Sequence, residues 1–218
     1  LCQGGWLSLI YAARFPAKVE RLVLAGAPVD LDAAESAMTL AVRNAPPGTF
    51  ESLVAMGGGR AMGGQLLKLW ATGAKMEALS LEALQVERPD ARLAQDFCDW
   101  YCRTVDLPGH YYLQAVDLLF RHNKLAKGAF IALGRTIDLK RADMPLYILA
   151  GDADQTCTLP QVLAAGRLAG ATDVTQEVAP AAHLGLFMGR RTVAESWPRI
   201  GRWLAGKAPR ARNRAKTS

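Results

Sequence analysis

Three short apolar runs, each bounded by turn residues, are typical of buried β-strands. Their sequences are RLVLAGAP at 21–28, PLYILAGD at 145–152 and the weaker DVTQEVAP at 173–180. Between the second and third runs, LPQVLAAGRLAG at 159–170 has helical apolar spacing and ends on a glycine. A strand, a helix and a strand in this order predict a βαβ unit, which requires a parallel sheet.

The two ends of the chain extend this α/β pattern. WLSLIYAARFP at 6–16 directly follows a pair of glycines and predicts a helix. WPRIGRWL at 197–204 predicts a closing helix, because its apolar residues recur at helical spacing. We therefore expect an α/β core built from residues 1–30 and 141–206.

The middle of the chain, residues 31–140, has a different pattern. Its apolar spacing predicts helices and no strand, in the segments AESAMTLAVRN, GQLLKLW, KMEALSLEALQV, DARLAQDFCDWYCRTV and GHYYLQAVDLLFRHNKLAKG. A helical insertion between two strands of one sheet predicts a cap over the sheet's carboxyl edge, where open α/β folds bind ligands. The glycine cluster at 57–64 lacks the Gly-Lys-Ser/Thr ending of a phosphate-binding loop and follows no predicted strand, so we interpret it as a flexible loop.

Composition and charge narrow the function classes. A chain of 218 residues with 50% hydrophobic residues can bury one substantial core. No window approaches the roughly 18 apolar residues of a membrane span and no secretory signal opens the chain, so we expect no membrane span and a cytoplasmic location. Five of the basic residues behind the net charge of +6 lie in residues 207–218, which leaves the body nearly neutral and predicts no nucleic-acid partner. We expect this tail to be disordered, either as a solubilising end or as an anchor to an anionic surface.

The first residues, LCQGG, have the pattern of the second half of a nucleophile elbow. Such a turn holds a nucleophile on a strained bend between a strand and a helix, with small neighbours because the two elements pack closely. Cys2 is then at a helix N-terminus, which favours its thiolate, and the backbone N–H of Gln3 is an expected oxyanion donor. Because an elbow is entered by a strand and one residue precedes Cys2, we expect a fragment that lacks the N-terminal half of its fold.

A thiol nucleophile needs a base and an orienting acid, and the chain offers few choices. His110 and His122 fall in the helical middle, where surface or core positions are expected. His183 follows the third predicted strand, and Asp152 and Asp154 follow the second. The order cysteine, acid, histidine, with a cap after the nucleophile, is that of α/β-hydrolases. The alternative interpretation is a buried cysteine with an unrelated loop histidine and turn aspartates.

The remaining cysteines carry no predicted site. Four cysteines at this spacing do not form a disulfide framework, so we expect reduced thiols. Cys98 and Cys102 are four apart on a predicted helix, but no second pair or histidine completes a metal site. Cys157 follows Asp154 by three residues and receives no role. The sequence thus predicts neither a metal nor a cofactor.

Several stretches together resemble the polyhydroxyalkanoate family: CQGGW, LVLAGAPVD, DLPGHYYLQAVDLLFRHNKLAKGAF, IDLKRADMPLYILAGDADQ and HLGLFMG. This family holds intracellular poly(3-hydroxybutyrate) depolymerases and polyhydroxyalkanoate synthases, which are α/β-hydrolase folds with a Cys-Asp-His triad. The resemblance spans Cys2 to about Leu204 and implies the C-terminal portion of that fold. It implies Cys2 as the nucleophile, His183 as the base and Asp154 as the orienting acid, with Asp152 the weaker candidate for the acid.

The resemblance also implies an acyl-cysteine intermediate on a 3-hydroxyacyl chain, taken from the polymer or from a 3-hydroxyacyl thioester. Synthases often follow their acid with His and a nearby Trp, whereas Gln155, Thr156 and Cys157 follow Asp154 here. The stretches LAGAPVD, VDLPGHYYLQ and HLGLFMG resemble depolymerases more. We therefore expect polymer hydrolysis at cytoplasmic granules, with synthesis as the rival. A non-catalytic granule-binding protein is the alternative of another class, and a homodimer is retained as a candidate assembly.

Aromatic residues of the predicted cap are candidates to line a channel for a hydrophobic polyester. Ordinary packing is the more frequent role of such side chains. The five residues are Trp70, Trp100, Tyr101, Tyr111 and Tyr112.

Overall fold

A parallel sheet flanked by helices combines residues 1–30 with residues 141–206, and shorter elements lie between its first two strands. The computed structural model describes residues 1–70, 76–88 and 90–206, without the side chains of residues 69 and 70, so the predicted tail and the Trp70 side chain lie outside the described residues. None of the helices in these ranges has the length and apolar composition needed to cross a bilayer. The helices are α1 (Cys2–Arg14), α2 (Ala37–Asn44), α3 (Thr49–Met56), α4 (Gly63–Trp70), α5 (Met76–Leu84), α6 (Ala91–Cys102), α7 (Gly109–Gln114), α8 (Leu159–Leu168), α9 (Gly185–Met188) and α10 (Arg190–Ala205), with 3₁₀ turns at Pro16–Lys18 and Leu139–Arg141. The strands are β1 (Leu22–Ala25), β2 (Arg60–Ala61), β3 (Leu107–Pro108), β4 (Ile131–Ala132), β5 (Arg135–Thr136), β6 (Leu146–Gly151) and β7 (Val174–Ala179).

The main sheet has the strand order β1-β6-β7, and both pairs are parallel. The register places Leu24 opposite Ile148 and Ile148 opposite Gln176. Every residue of the central strand β6 is buried, as expected for a strand covered on both faces. Helix α8 connects β6 to β7, so the predicted βαβ unit is confirmed.

Helices cover both faces of this sheet. Successive residues of a strand point to opposite faces, and β6 therefore contributes to two apolar clusters. One cluster joins α1, α8 and the middle segment, and includes Leu9, Leu24, Ile148, Val162 and Ala165. The other joins α9 and α10, and includes Ala25, Tyr147, Leu149, Leu186 and Ile200.

The start of α1 is fixed closely against the end of β1. A methyl group on Gly5 would lie 2.3 Å from the Cβ of Ala27, so only glycine fits this contact. The indole N–H of Trp6 donates to the carbonyl of Pro28 at 2.5 Å, and its ring lies 5.9 Å from that of Phe120. These contacts place the first residues of the helix beside the carboxyl edge of the sheet.

The middle segment contains the predicted helices, but three sequence-based expectations for it are wrong. Four two-residue strands interrupt it, in the antiparallel pairs β2 with β3 and β4 with β5, and α3 lies in a segment for which no helix was predicted. Strands of two residues are too short to show a period-2 pattern. The glycine cluster is an ordered turn rather than a flexible loop, since the N–H groups of Gly57 and Gly59 donate to Leu53 and Val54, with φ +88° at Gly59.

The last helix predicted in the middle segment is not one regular α-helix and is shorter than predicted. Helix α7 continues into a π-helical turn at Ala115–Arg121, and the helical path ends at Asn123, which has φ +48°. The buried Asn123 side chain accepts a hydrogen bond from the N–H of Leu31 at 3.2 Å and donates to Asp30 at 2.8 Å. This amide ties the end of the middle segment to the loop that follows β1.

Candidate active site

Cys2 begins α1 in a strained backbone conformation. Its φ is +44°, in the left-handed region that non-glycine residues rarely occupy. Nucleophile elbows hold their nucleophile on such a bend. The side chain is half-buried, and the backbone N–H of Gln3 donates a hydrogen bond to its sulfur.

Asp154 and His183 follow neighbouring strands and meet at the carboxyl edge of the sheet. Asp154 Oδ2 lies 2.7 Å from His183 Nδ1. Asp154 Oδ1 accepts the backbone N–H groups of Thr156 at 2.9 Å and Cys157 at 2.8 Å, and the carboxylate is fully buried. Since an ionised carboxylate only accepts hydrogen bonds, these contacts fix its position and direct one oxygen at the imidazole.

Packing positions the imidazole of His183. Its ring lies edge-to-face with Phe187, at a centroid distance of 5.3 Å and an angle of 85°. Gly26 lies against the imidazole ring and has a φ of +56°. A methyl group at this position would lie 3.3 Å from His183 Cε1 and 3.1 Å from Phe187 Cζ. Neither support was predicted from the sequence. The glycine directly after the first apolar run was the available signal.

Electrostatics favour a thiolate and imidazolium pair. The pKa of Cys2 is lowered to about 4 by a hydrogen bond from the Cys157 thiol, against the opposing effect of burial, and further by the hydrogen bond and charge of His183. Burial opposes charge on His183 as well, but hydrogen bonds and negative charge from Asp154 and Cys2 outweigh it and raise the pKa to about 10. Each group therefore stabilises the charge of the other.

Cys157 is the neighbour that the sequence analysis left without a role. It is 1% exposed, and its hydrogen bond to Cys2, its burial and the negative charges of Cys2 and Asp154 raise its pKa well above the usual value. It therefore remains a thiol that can donate to the Cys2 sulfur. The two sulfur atoms and a ring nitrogen of His183 all lie within 4.8 Å of one another.

The other candidates for acid and base lie apart from this group. The Asp152 side chain is exposed and makes no hydrogen bond or ion pair with any described residue, whereas Asp154 contacts the imidazole. His110 is exposed on α7. His122 pairs with Asp117, with 3.3 Å between Nε2 and Oδ1.

Of the four aromatic cap candidates with described side chains, Tyr111 is the one with an electrostatic link to the site. Burial and the negative charge of Cys2 raise its pKa. Tyr112 is buried against Phe50 at a centroid distance of 6.1 Å. Trp100 is half exposed, and Tyr101 stacks on the ring of Phe97 at 5.8 Å. These three residues pack locally rather than line a common channel.

Gln85 joins the middle segment to both sides of the His183 loop. Its Nε2 donates to the carbonyl of Pro180 at 3.1 Å. Its Oε1 accepts the backbone N–H groups of Arg191 at 3.0 Å and Thr192 at 3.1 Å, at the start of α10. The sequence analysis did not identify this residue, because its partners are about 100 positions away and no local pattern marks them.

Comparisons with known proteins give three kinds of similarity: to individual relatives, to solved structures and to a protein family. The chain is 29% identical over 229 residues to a poly(3-hydroxyalkanoate) polymerase subunit PhaC from Synechocystis sp. and 26% identical over 214 residues to the subunit of the same name from Allochromatium vinosum. Each alignment covers 94% of this chain, which spans 56% and 58% of the lengths of these relatives.

Solved structures show the same fold at low sequence identity. A monoacylglycerol lipase from Paleococcus ferrophilus matches 93% of this chain and 65% of its own, with a TM-score of 0.58 and 17% identity. An enol-lactonase from Burkholderia xenovorans matches 94% of this chain and 64% of its own, with a TM-score of 0.55 and 14% identity. The predicted α/β-hydrolase fold is thereby confirmed, and the parallel sheet described here is consistent with a C-terminal portion of it.

A protein family matches most of the region after the first strand. The match covers residues 73–207, which is more than half of the chain and includes β6, β7, Asp154 and His183. The resemblance to polyhydroxyalkanoate proteins that the sequence motifs carry therefore agrees with an independent match. The chain belongs to the family described as PHB de-polymerase C-terminus.

Proposed function

We propose that this chain carries the catalytic residues of a polyhydroxyalkanoate synthase, which transfers 3-hydroxyacyl groups from a thioester to a growing polyester through an acyl-cysteine. One observation carries the proposal. The buried Asp154 carboxylate lies 2.7 Å from the imidazole of His183, which is hydrogen-bonded to a Cys2 thiolate on a strained helix start. This is the arrangement that nucleophilic acyl transfer needs.

In the first half-reaction the Cys2 thiolate attacks the carbonyl carbon of a 3-hydroxyacyl thioester. The tetrahedral intermediate collapses with cleavage of the carbon–sulfur bond of the thioester, and the leaving thiolate takes the proton from His183 Nε2. Asp154 keeps the other ring nitrogen protonated and the ring oriented. The products of this step are an acyl-cysteine and the free thiol.

In the second half-reaction a hydroxyl group attacks the acyl-cysteine. His183, now neutral, accepts the hydroxyl proton at Nε2 as the new ester bond forms and the Cys2 thiolate leaves. If the hydroxyl belongs to a 3-hydroxyacyl chain, the polymer grows by one unit. If water takes its place, the same residues complete hydrolysis.

The backbone N–H of Gln3 is the proposed oxyanion donor. It already donates to the Cys2 sulfur in the resting site, so it lies next to the position that the carbonyl oxygen takes when an acyl group bonds to that sulfur. Developing negative charge on the carbonyl oxygen attracts this donor more strongly than the neutral substrate does, and one such donor is worth roughly 10²- to 10³-fold in rate.

The curated relatives favour synthesis over the hydrolysis that we expected from local motifs. Both relatives described above are named polymerase subunits and align with 94% of this chain. Polymer hydrolysis remains the second candidate, because the family name refers to a depolymerase and the chemistry up to the acyl-cysteine is shared. The cytoplasmic location, association with polymer granules and homodimer stay predictions.

The test compares the two acceptors directly. Purified full-length protein is incubated with 3-hydroxybutyryl-coenzyme A while coenzyme A release and polymer mass are followed, and separately with amorphous poly(3-hydroxybutyrate) while 3-hydroxybutyrate release is followed. We expect coenzyme A release with polymer growth, absent in Cys2→Ala. Release of 3-hydroxybutyrate from polymer, without growth in the first assay, favours the depolymerase instead. Granule binding without turnover in either assay rejects both enzymes in favour of a binding protein.

A further inference from the structure

The sulfur atoms of Cys2 and Cys157 and a ring nitrogen of His183 form a compact cluster of three potential metal ligands. Their ligand atoms all lie within 4.8 Å of one another, and within residues 1–70, 76–88 and 90–206 no other group of His, Cys, Asp or Glu side chains meets this criterion. With zinc bonds of about 2.3 Å to sulfur and 2.0–2.1 Å to nitrogen, two sulfurs and one nitrogen at tetrahedral positions lie roughly 3.5–3.8 Å apart. The side chains thus need only small rotations to share one ion.

The surroundings of the cluster also suit a metal. His183 Nδ1 is engaged with Asp154, which leaves Nε2 for the ion. A carboxylate that holds the second nitrogen of a ligating histidine is the usual outer support of zinc sites, because it fixes the ring and raises its basicity. Cys157 is buried and Cys2 is half-buried, so the cluster lies mostly out of bulk solvent.

We propose that Cys2, Cys157 and His183 bind one soft divalent cation, with Zn²⁺ the first choice, and that the bound cation blocks the nucleophile. Two thiolates and an imidazole are ligands that favour zinc over hard cations such as Mg²⁺. Binding releases the thiol proton of Cys157 and the Nε2 proton of His183 to solvent, while Cys2 is already a thiolate. Three protein ligands leave the fourth position to water.

This inference is independent of which acyl acceptor the enzyme uses, because it concerns the resting site. Occupancy engages the Cys2 sulfur lone pair and Nε2 of His183, both of which the proposed acyl transfer requires. The bound ion therefore inhibits acyl transfer and takes no part in it. Cys157, which the proposed reaction does not involve in bond formation, is the residue that makes the cluster a metal site.

The first test uses Co²⁺ as a spectroscopic substitute for Zn²⁺ in metal-free, untagged full-length protein without acyl substrate. We expect one equivalent of Co²⁺ to give intense sulfur-to-metal charge-transfer bands and the visible bands of tetrahedral cobalt, and one equivalent of Zn²⁺ to remove them. Absence of sulfur charge-transfer bands, or an octahedral spectrum, overturns the proposal.

Variants locate the site. Cys157→Ala should weaken Zn²⁺ binding, measured by competition with a chelating dye, by at least roughly 10- to 100-fold, which is the usual effect of changing even an outer support of a zinc site. The double variant Cys98→Ala, Cys102→Ala removes two thiols outside the cluster and should bind Zn²⁺ as the unchanged protein does. Equal affinity in Cys157→Ala, or lost affinity in the double variant, assigns the ion elsewhere and rejects the site.

A second measurement does not depend on the folding of any variant. In the unchanged protein, one equivalent of Zn²⁺ should protect Cys2 from iodoacetamide by at least 10-fold in rate, as read by mass spectrometry of the Cys2 peptide, and a chelator should restore the rate. An unprotected Cys2 at saturating Zn²⁺ contradicts the proposal. None of these three measurements uses substrate, so a negative result in them is distinguishable from failure of the acyl-transfer proposal.

Discussion

At the scale of single residues, Cys2 combines a strained backbone with a strongly favoured thiolate. Its φ of +44° turns the side chain into the group formed by His183 and Cys157, and the hydrogen bonds there lower its pKa to about 4. The conformation costs on the order of 1–3 kcal/mol and persists because the surrounding contacts determine it. Strain and ionisation therefore coincide at one residue.

Alkylation in metal-free protein tests this ionisation. A group with a lowered pKa stays deprotonated as the pH falls towards that pKa, so the iodoacetamide rate of Cys2 should be nearly constant from pH 8 to 5 and fall as pH approaches about 4. The raised pKa of Cys157 should leave it unreactive in the same range. Mass spectrometry of the two peptides measures each rate. A Cys2 rate that drops about tenfold per unit below pH 8 indicates an ordinary thiol, for which each pH unit below the pKa removes about nine-tenths of the thiolate.

Gly26 offers a second test at this scale. In Gly26→Ala the new methyl group meets Leu186, Phe187 and the His183 ring at 3.1–3.3 Å, in a conformation with φ +56°. We expect a loss of about 1–2 kcal/mol in the free energy of unfolding. Displacement of the imidazole should lower kcat by up to about 10²-fold. The matched control is Gly201→Ala on α10, where the new methyl group would meet no atom within 4 Å other than the backbone of its own helix. A loss of kcat in this control as large as in Gly26→Ala would contradict the prediction.

At the scale of elements, the loop that carries His183 is held between the main sheet and the middle segment. Gln85 alone bridges three backbone groups on the two sides of that loop, at Pro180, Arg191 and Thr192. Its Oε1 also satisfies N–H groups at the start of α10 that lack a partner within the helix. One side chain thus couples the position of α5 to that of the imidazole.

Gln85→Ala should therefore destabilise the protein by about 0.5–1.5 kcal/mol, because two donors at a partly exposed helix start lose their acceptor and water can replace it only in part. We also expect kcat to fall more than KM changes, since the ring position matters for proton transfer rather than for substrate contact. Chemical denaturation and steady-state kinetics measure the two effects. Gln95→Ala, which removes an exposed glutamine that bonds Asp99 within α6, is the control and should change stability by less than about 0.5 kcal/mol.

At the scale of the whole molecule, the candidate triad is assembled from three distant parts of the chain. Cys2 comes from the start of α1, Asp154 from the end of β6 and His183 from the end of β7. The strand order β1-β6-β7 places the two strand ends side by side, and the packing of α1 on β1 brings the cysteine to the same edge. The site therefore depends on the fold of the whole sheet.

Substitution of any one residue of the candidate triad should remove most of the activity, because the three residues act together. Cys2→Ala, His183→Ala and Asp154→Asn should each lower kcat/KM by roughly 10⁴- to 10⁶-fold with little change in melting temperature for the first two. Asp152→Asn, two positions away and without a side-chain partner among the described residues, is the matched control and should stay within about threefold, a difference of under 1 kcal/mol in barrier. If Asp152→Asn is the more damaging of the two folded Asp variants, the assignment of the acid is reversed.

The sequence by itself determined the helices and strands whose apolar pattern lies within one short stretch of the chain. Strands at 22–25, 146–151 and 174–179 and the βαβ unit follow from apolar runs and helical spacing, which a window of some ten residues contains. The expectation that the third of these strands is buried is wrong: within Val174–Ala179 only Ala179 is buried, because β7 lies at the end of the strand order in the described sheet. The cysteine before paired glycines, the aspartates after one strand and the histidine after the next are local signals too. The strands β2 and β3 and the break in the helix before Asn123 were missed, since each depends on distant partners. The strands β4 and β5 pair with each other across two residues and were missed because two-residue strands are too short to show a period-2 pattern.

Tertiary structure alone shows which of several candidates with similar positions along the chain contact one another. Asp152 and Asp154 follow the same strand, and only the packing shows that Asp154 is buried against His183 while Asp152 faces solvent. Cys157 received no role until the fold placed its thiol beside Cys2, 155 positions earlier in the chain. Hydrogen bonds and pKa values depend on distances in space and on burial, which a pattern of neighbouring residues does not contain.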